Sequence, residues 1–125
     1  MRAVPEVSTT KKKSEAARPV RLSHNVYVVE LSPKALADRR FRKRNPGYVD
    51  GQPCVYVGMT GLSVAERYQN HKRGHKGNVF VLRFGVRLMP ELFAHLNPMP
   101  YEAAETMERE LAEELRQAGY GVWQA

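Results

Sequence analysis

The sequence predicts a small α+β domain with a three-stranded sheet, and three observations carry that expectation. Two short runs rich in β-branched and aromatic residues, Asn25–Leu31 and Cys54–Val57, read as strands. Apolar residues recur at helical spacing between Tyr101 and Gln117. With 125 residues and 42% hydrophobic content, the chain supports one core and no second domain.

Residues 1–22 contain Lys11, Lys12 and Lys13, with Pro5 and Pro19, and lack periodicity at either 2 or 3.6 residues. They read as a flexible basic tail, leaving 23–125 as the single domain. After the first strand, Ser32 and Pro33 supply an N-cap and a first-turn proline. These open a short helix through Ala35, Leu36, Ala37 and Phe41 that stops at Asn45-Pro46-Gly47. The turn Asp50-Gly51-Gln52-Pro53 leads into the second strand, which ends at Gly58. Thr60, Gly61 and Ser63 open a second helix, which Gly74 and Gly77 close. The imperfect alternation of Val79, Val81, Phe84 and Val86 predicts a third strand over 78–88. Leu92, Phe93 and Leu96 suggest one helical turn, and the last helix ends at a glycine C-cap, Gly119.

The formal net charge is +7, unevenly spread. Residues 1–76 carry 16 Lys+Arg against 6 Asp+Glu, whereas 77–125 carry 4 against 7. Such an asymmetry points to a polyanion. The densest cluster is Arg39, Arg40, Arg42, Lys43 and Arg44 on the first helix, a density suited to phosphate contact and equally to a solvated face. No window approaches the roughly 18 uninterrupted apolar residues of a membrane span, and residues 1–15 lack the apolar stretch of a signal peptide. The expectation is a cytoplasmic protein with no membrane partner. The single cysteine, Cys54, can form neither an internal disulfide nor a thiolate zinc site. His71 and His75 have helical zinc spacing, but Gly74 interrupts the helix and no third ligand stands nearby.

The last helix is the most informative segment. At roughly 100° per residue, Ala104, Met107, Leu111, Ala112 and Leu115 share one face. Of the six glutamates on this helix, Glu108 alone falls within that face. A buried carboxylate needs a cation, a metal or hydrogen-bond donors beside it, and a structural ion pair would serve as well as a functional site. On the second helix, Val64, Arg67, Tyr68 and His71 have i, i+3, i+4, i+7 spacing, placing Arg67 and His71 on one face. In the strands, Tyr27 and Tyr56 each stand between valines, so alternation sends each phenol to the face opposite those valines. A cation for phosphoryl oxygens, a carboxylate for a metal, a proton carrier and two phenols are the parts of a phosphodiester-cleaving centre, although strand tyrosines also serve simply as packing residues.

In order, Asn25-Val26-Tyr27, Tyr56-Val57-Gly58, Thr60, Arg67, His71 and Glu108 resemble the GIY-YIG nucleases, over about residues 25–118. The segment from Tyr56 to His71 is the most diagnostic. The resemblance implies a three-stranded antiparallel sheet flanked by helices and a divalent-metal-dependent endonuclease acting on nucleic acid, DNA ahead of RNA. It implies catalytic roles for Tyr27, Tyr56, Arg67 and His71, with His71 relaying a proton or holding phosphate, and a single Mg²⁺ or Mn²⁺ on Glu108. Gly58 would let the backbone turn tightly beside the substrate. Thr60, Lys72 and the Arg39–Arg44 cations join it as substrate-binding candidates. The 28 residues between Tyr27 and Tyr56 hold the arginine-rich helix as an insertion. Where many members place an asparagine after the glutamate helix, this chain has Gly119-Tyr120-Gly121-Val122-Trp123. The alternative is a catalytically inactive, basic nucleic-acid-binding module on the same fold.

Overall fold

The computed structural model describes residues 20–125; the Lys11–Lys13 triplet and most of the expected tail lie outside the described residues. The fold is α+β, with a four-stranded mixed sheet in the order β3-β1-β2-β4. Strand β1 (Asn25–Leu31) pairs antiparallel with β2 (Cys54–Thr60) and, on its other side, with β3 (Gly85–Leu88). Strand β4 (Gly121–Gln124) then adds parallel to the free edge of β2, with Tyr56 opposite Trp123 and Val57 opposite Gln124. The expected three-stranded antiparallel sheet is therefore present but extended. Four residues with no long apolar alternation give no sequence signal for β4, and their partner lies far back along the chain.

The insertion between β1 and β2 is helical, but in two pieces. A 3-10 turn, Pro33–Ala37, is capped by Ser32, whose Oγ accepts from Lys34 N at 3.2 Å. Asp38 is extended and starts afresh, its carboxylate accepting from Arg40 N and Phe41 N to cap α1 (Arg39–Lys43). Helix α2 (Val64–Lys72) starts after Ser63, which accepts from Glu66 N at 3.1 Å. The expected strand over 78–88 is corrected. Asn78 caps a helix, α3 (Val79–Phe84), by accepting from Phe80 N, and only Gly85–Leu88 is extended. The same apolar residues satisfy a helix, because Phe80, Val81 and Phe84 fall on one face. Two 3-10 turns, Pro90–Leu92 and Ala94–Leu96, precede α4 (Tyr101–Gln117), whose bounds match the expectation.

Both sheet faces are covered. Tyr27, Tyr56 and Trp123 share one face, against which α1, α2 and α3 set Phe41, His71 and Phe80. The alternate positions Val26, Val28, Val55, Val57 and Val122 are fully buried on the other. Helix α4 runs along β2 and β4, burying Ala104, Leu111, Ala112 and Leu115.

Candidate active site and nucleic-acid interface

The strand register sets the first two residues. Tyr27 stands opposite Gly58, and Tyr56 lies two residues before Gly58 on the same face, so the rings meet at 6.0 Å between centroids. Gly58 is required for space rather than for a turn. It lies within β2, and a Cβ there would come within 2.8 Å of the Tyr27 hydroxyl oxygen and 3.0 Å of the Tyr56 ring. The expected tight turn beside substrate is thus replaced by room for a phenol.

Helix α2 presents Val64, Arg67, Tyr68 and His71 inward, as the spacing predicts. His71 is 0% exposed and lies against both phenols. Its Nδ1 accepts from Asn78 N at 2.8 Å, and its Nε2 lies 2.7 Å from Tyr27 Oη. A backbone N–H can only donate, so Nδ1 carries a lone pair and the neutral ring holds its proton on Nε2, donating to Tyr27. Burial, with the positive charge of Arg67, lowers the His71 pKa to about 4, so the ring is neutral at pH 7. Gly77 makes the Asn78 contact possible: a Cβ there would stand 2.7 Å from His71 Cα. With both nitrogens engaged behind Tyr27, His71 neither faces an incoming phosphate nor accepts the Tyr27 proton while it keeps Asn78. Sequence reasoning missed Asn78 and Gly77 because the decisive donor is a backbone N–H.

Arg67 reaches along this face, donating through Nη2 to Lys76 O at 3.0 Å. Burial raises the Tyr27 pKa, and the Arg67 guanidinium and Tyr56 hydroxyl oppose that rise. Burial also pushes Tyr56 well above the usual phenol range, reinforced by Tyr27 and opposed by Arg67. Both phenols are therefore neutral at rest, and Arg67 is the cation that eases their ionisation.

Glu108 is 8% exposed while Glu102, Glu105, Glu110, Glu113 and Glu114 are exposed, as the helical wheel predicts. Burial raises its pKa, opposed by the side-chain amide of Gln124 and then by Arg109. Its charge reaches both Tyr27 and Tyr56, raising them slightly, but no hydrogen bond or ion pair ties it to the phenols, Arg67 or His71 among the described residues. Gln124 follows directly on the stretch where the resemblance lacks its asparagine and brings an amide to the carboxylate. No sequence signal marked it, because only the parallel pairing of β4 with β2 brings it there. Among the described residues no three His, Cys, Asp or Glu side chains gather as a ready metal cage. A lone carboxylate is still a suitable ligand for Mg²⁺, which keeps several waters and takes further oxygens from substrate phosphate.

The remaining candidates divide. Thr60 is buried at the end of β2, its Oγ1 accepting from Leu62 N at 3.0 Å, and Lys72 Nζ donates to Gly85 O at 2.9 Å. Arg40 is paired with Asp38 at 2.9 Å. Arg39, Arg42, Lys43 and Arg44 are exposed and have no ion pair among the described residues. Arg44 stacks on Trp123 with Cζ 4.3 Å from a ring centroid, and Trp123 in turn packs on Phe80 at 4.4 Å. The cationic ridge is thereby anchored to the face that carries the two phenols.

No protein-family model, curated protein or solved structure matches this chain. No helix among the described residues is long and apolar enough to cross a membrane.

Proposed function

We propose that the chain is a divalent-metal-dependent endonuclease of GIY-YIG type, hydrolysing phosphodiester bonds of nucleic acid, DNA ahead of RNA. The observation that carries this reading is the Tyr27–His71 pair at 2.7 Å, set beside Tyr56 under the Arg67 charge and within electrostatic reach of a buried carboxylate. A packing tyrosine needs one partner for its buried hydroxyl, which His71 supplies; the arginine charge and the buried glutamate in its field go beyond that need and favour a functional site.

The roles follow from the proton arrangement. His71 donates to Tyr27, so the Tyr27 O–H points away from His71 and is the group left to orient an attacking water. Tyr56 supplies the second hydroxyl to that water or to the scissile phosphate. As negative charge grows on the phosphoryl oxygens, Arg67 offsets it without moving far. Glu108, steadied by Gln124, would hold Mg²⁺ or Mn²⁺ together with substrate oxygens. When bound, such an ion would supply positive charge that makes ionising the nucleophile less costly. The α1 cations hold the strand by its phosphates.

The test is a cleavage screen of the full chain on duplex, branched and single-stranded DNA and on RNA, with Mg²⁺ and Mn²⁺ titrations. Wild type should cut at least one substrate, and Glu108→Ala and Arg67→Ala should abolish cutting while retaining most affinity. Salt-dependent binding without metal-dependent turnover on any substrate sinks the enzyme reading and leaves the binding module.

A further inference from the structure

A second cationic feature lies at the junction of α1, α4 and β4. Arg44 and Arg116 line one cavity of about 210 Å³ together with Asn45, Tyr48, Glu113 and Tyr120. That is below the roughly 300–1,000 Å³ of a typical small-molecule pocket, so it fits a small anion or one charged group of a larger ligand.

Both guanidiniums are fixed in place. The Arg44 guanidinium sits over Trp123, its Cζ 4.3 Å from the ring centroid, and makes no ion pair among the described residues. Arg116 donates through Nη2 to Val122 O at 3.4 Å, a carbonyl that also accepts from Asn45 Nδ2 at 3.1 Å. Asn45 itself is locked by Val122 N and Phe41 O, so the floor of the cavity is rigid. Neither arginine has an ion pair among the described residues, and the buried Nε of Arg116 has no hydrogen-bond partner there. Burial lowers the Arg116 pKa; Glu113 opposes this and Arg44 adds to it, as like charges do when little offsets them. Glu113 is the one carboxylate in the lining, and it is exposed. Two held, incompletely compensated guanidiniums facing one small cavity match a tetrahedral oxyanion.

We propose that Arg44 and Arg116 form a phosphate-binding subsite that takes one backbone phosphate of a polynucleotide lying along the exposed cations of α1. The site extends the ridge from Arg39 through Arg44 across to α4, since Arg44 belongs to both. This rests on the nucleic-acid reading of the preceding section for the source of the phosphate, though not for the site itself.

The experiment measures binding of a fluorescently labelled DNA duplex by anisotropy, with EDTA present to prevent cleavage, across a KCl series. Wild type, Arg44→Gln, Arg116→Gln and Arg116→Lys are compared as full chains, each checked for folding by circular dichroism. Each Gln variant should lose roughly one unit of the slope of log affinity against log salt and bind several-fold more weakly. Arg116→Lys should keep the slope and lose affinity, since a point charge replaces the fork. Should Arg116→Gln fail to fold, the exposed Arg44 carries the test. Wild-type slopes in the folded Gln variants overturn the subsite and leave the nucleic-acid reading standing. If wild type binds no duplex, the polynucleotide source is overturned. Inorganic phosphate at matched ionic strength then decides the site: a rise in wild-type Tm absent from Arg44→Gln supports a free-phosphate site, and no rise overturns it.

Discussion

Tyr27 Oη and His71 Nε2 lie 2.7 Å apart, and the Asn78 N–H on the far side of the imidazole decides which of them donates. The pair is buried, so removing either partner leaves the other unsatisfied. His71→Phe keeps the ring volume and strands both the Tyr27 hydroxyl and the Asn78 N–H. It should destabilise the fold by about 1–3 kcal/mol and reduce single-turnover cleavage by 10-fold or more, on the order of a lost positioning hydrogen bond. Urea unfolding and rapid-quench cleavage check the two effects separately. An unchanged cleavage rate in the folded variant would remove His71 from the catalytic account.

The same histidine makes a pH prediction. Its folded pKa is lowered to about 4 from the ordinary 6.5, so between those values the unfolded chain binds a proton that the folded chain does not. Stability from this group is complete above about pH 6.5 and falls progressively as the pH drops toward 4. Its size is up to about 3 kcal/mol. Chemical denaturation at stepped pH should show this loss in wild type and a reduced loss in His71→Phe.

Gly58→Ala tests whether space or backbone freedom explains the glycine. The added methyl meets the Tyr27 hydroxyl at 2.8 Å, so the phenol must move or β2 must shift. A destabilisation of about 1–3 kcal/mol is expected, with loss of cleavage out of proportion to it. Pairing the change with Tyr27→Phe removes the clashing oxygen and should recover part of the stability but none of the activity.

Glu108→Gln is nearly isosteric and keeps a partner for Gln124. Because burial raises the carboxyl pKa, replacing it by a neutral amide should leave stability equal or slightly higher. Cleavage should fall by about 100-fold or more, by analogy with other losses of electrostatic stabilisation. Isothermal titration with Mn²⁺ should show weakened metal binding in the same variant; full metal-dependent activity would exclude Glu108 as the ligand.

Much of this arrangement was legible because it rests on periodicity. The bounds of β1 and α4 followed from pattern, and the inward turn of Glu108 from counting around a helix. The face shared by Arg67 and His71 followed from i, i+4 spacing. What escaped depends on chain segments far apart or on ambiguous patterns. Val79, Val81 and Phe84 suit a strand by alternation, yet Asn78 as an N-cap and the face formed by Phe80, Val81 and Phe84 favour a helix, and the packing of Phe80 on Phe41 and Trp123 decides it. Gln124 is legible only once β4 is known to lie beside β2. The Asn78 N–H has no side-chain signature at all.

The parallel pairing of β2 with β4 also bears on how the molecule assembles. Val55 meets Val122 across most of the domain's length, whereas α2 and α3 fold on neighbouring residues. Loop closure of that size is slow, so β4 is expected to dock after the β1–β2 pair and the helices have formed. Pulse-labelled hydrogen exchange would see this as late protection of the Gly121 and Val122 amides, and early protection there would refute it. Until that docking the edge of β2 is open to pairing with another chain, and Glu108 lacks the amide beside it. Closing the sheet and completing the surroundings of the carboxylate are then one event, so an incompletely folded chain carries no finished candidate site.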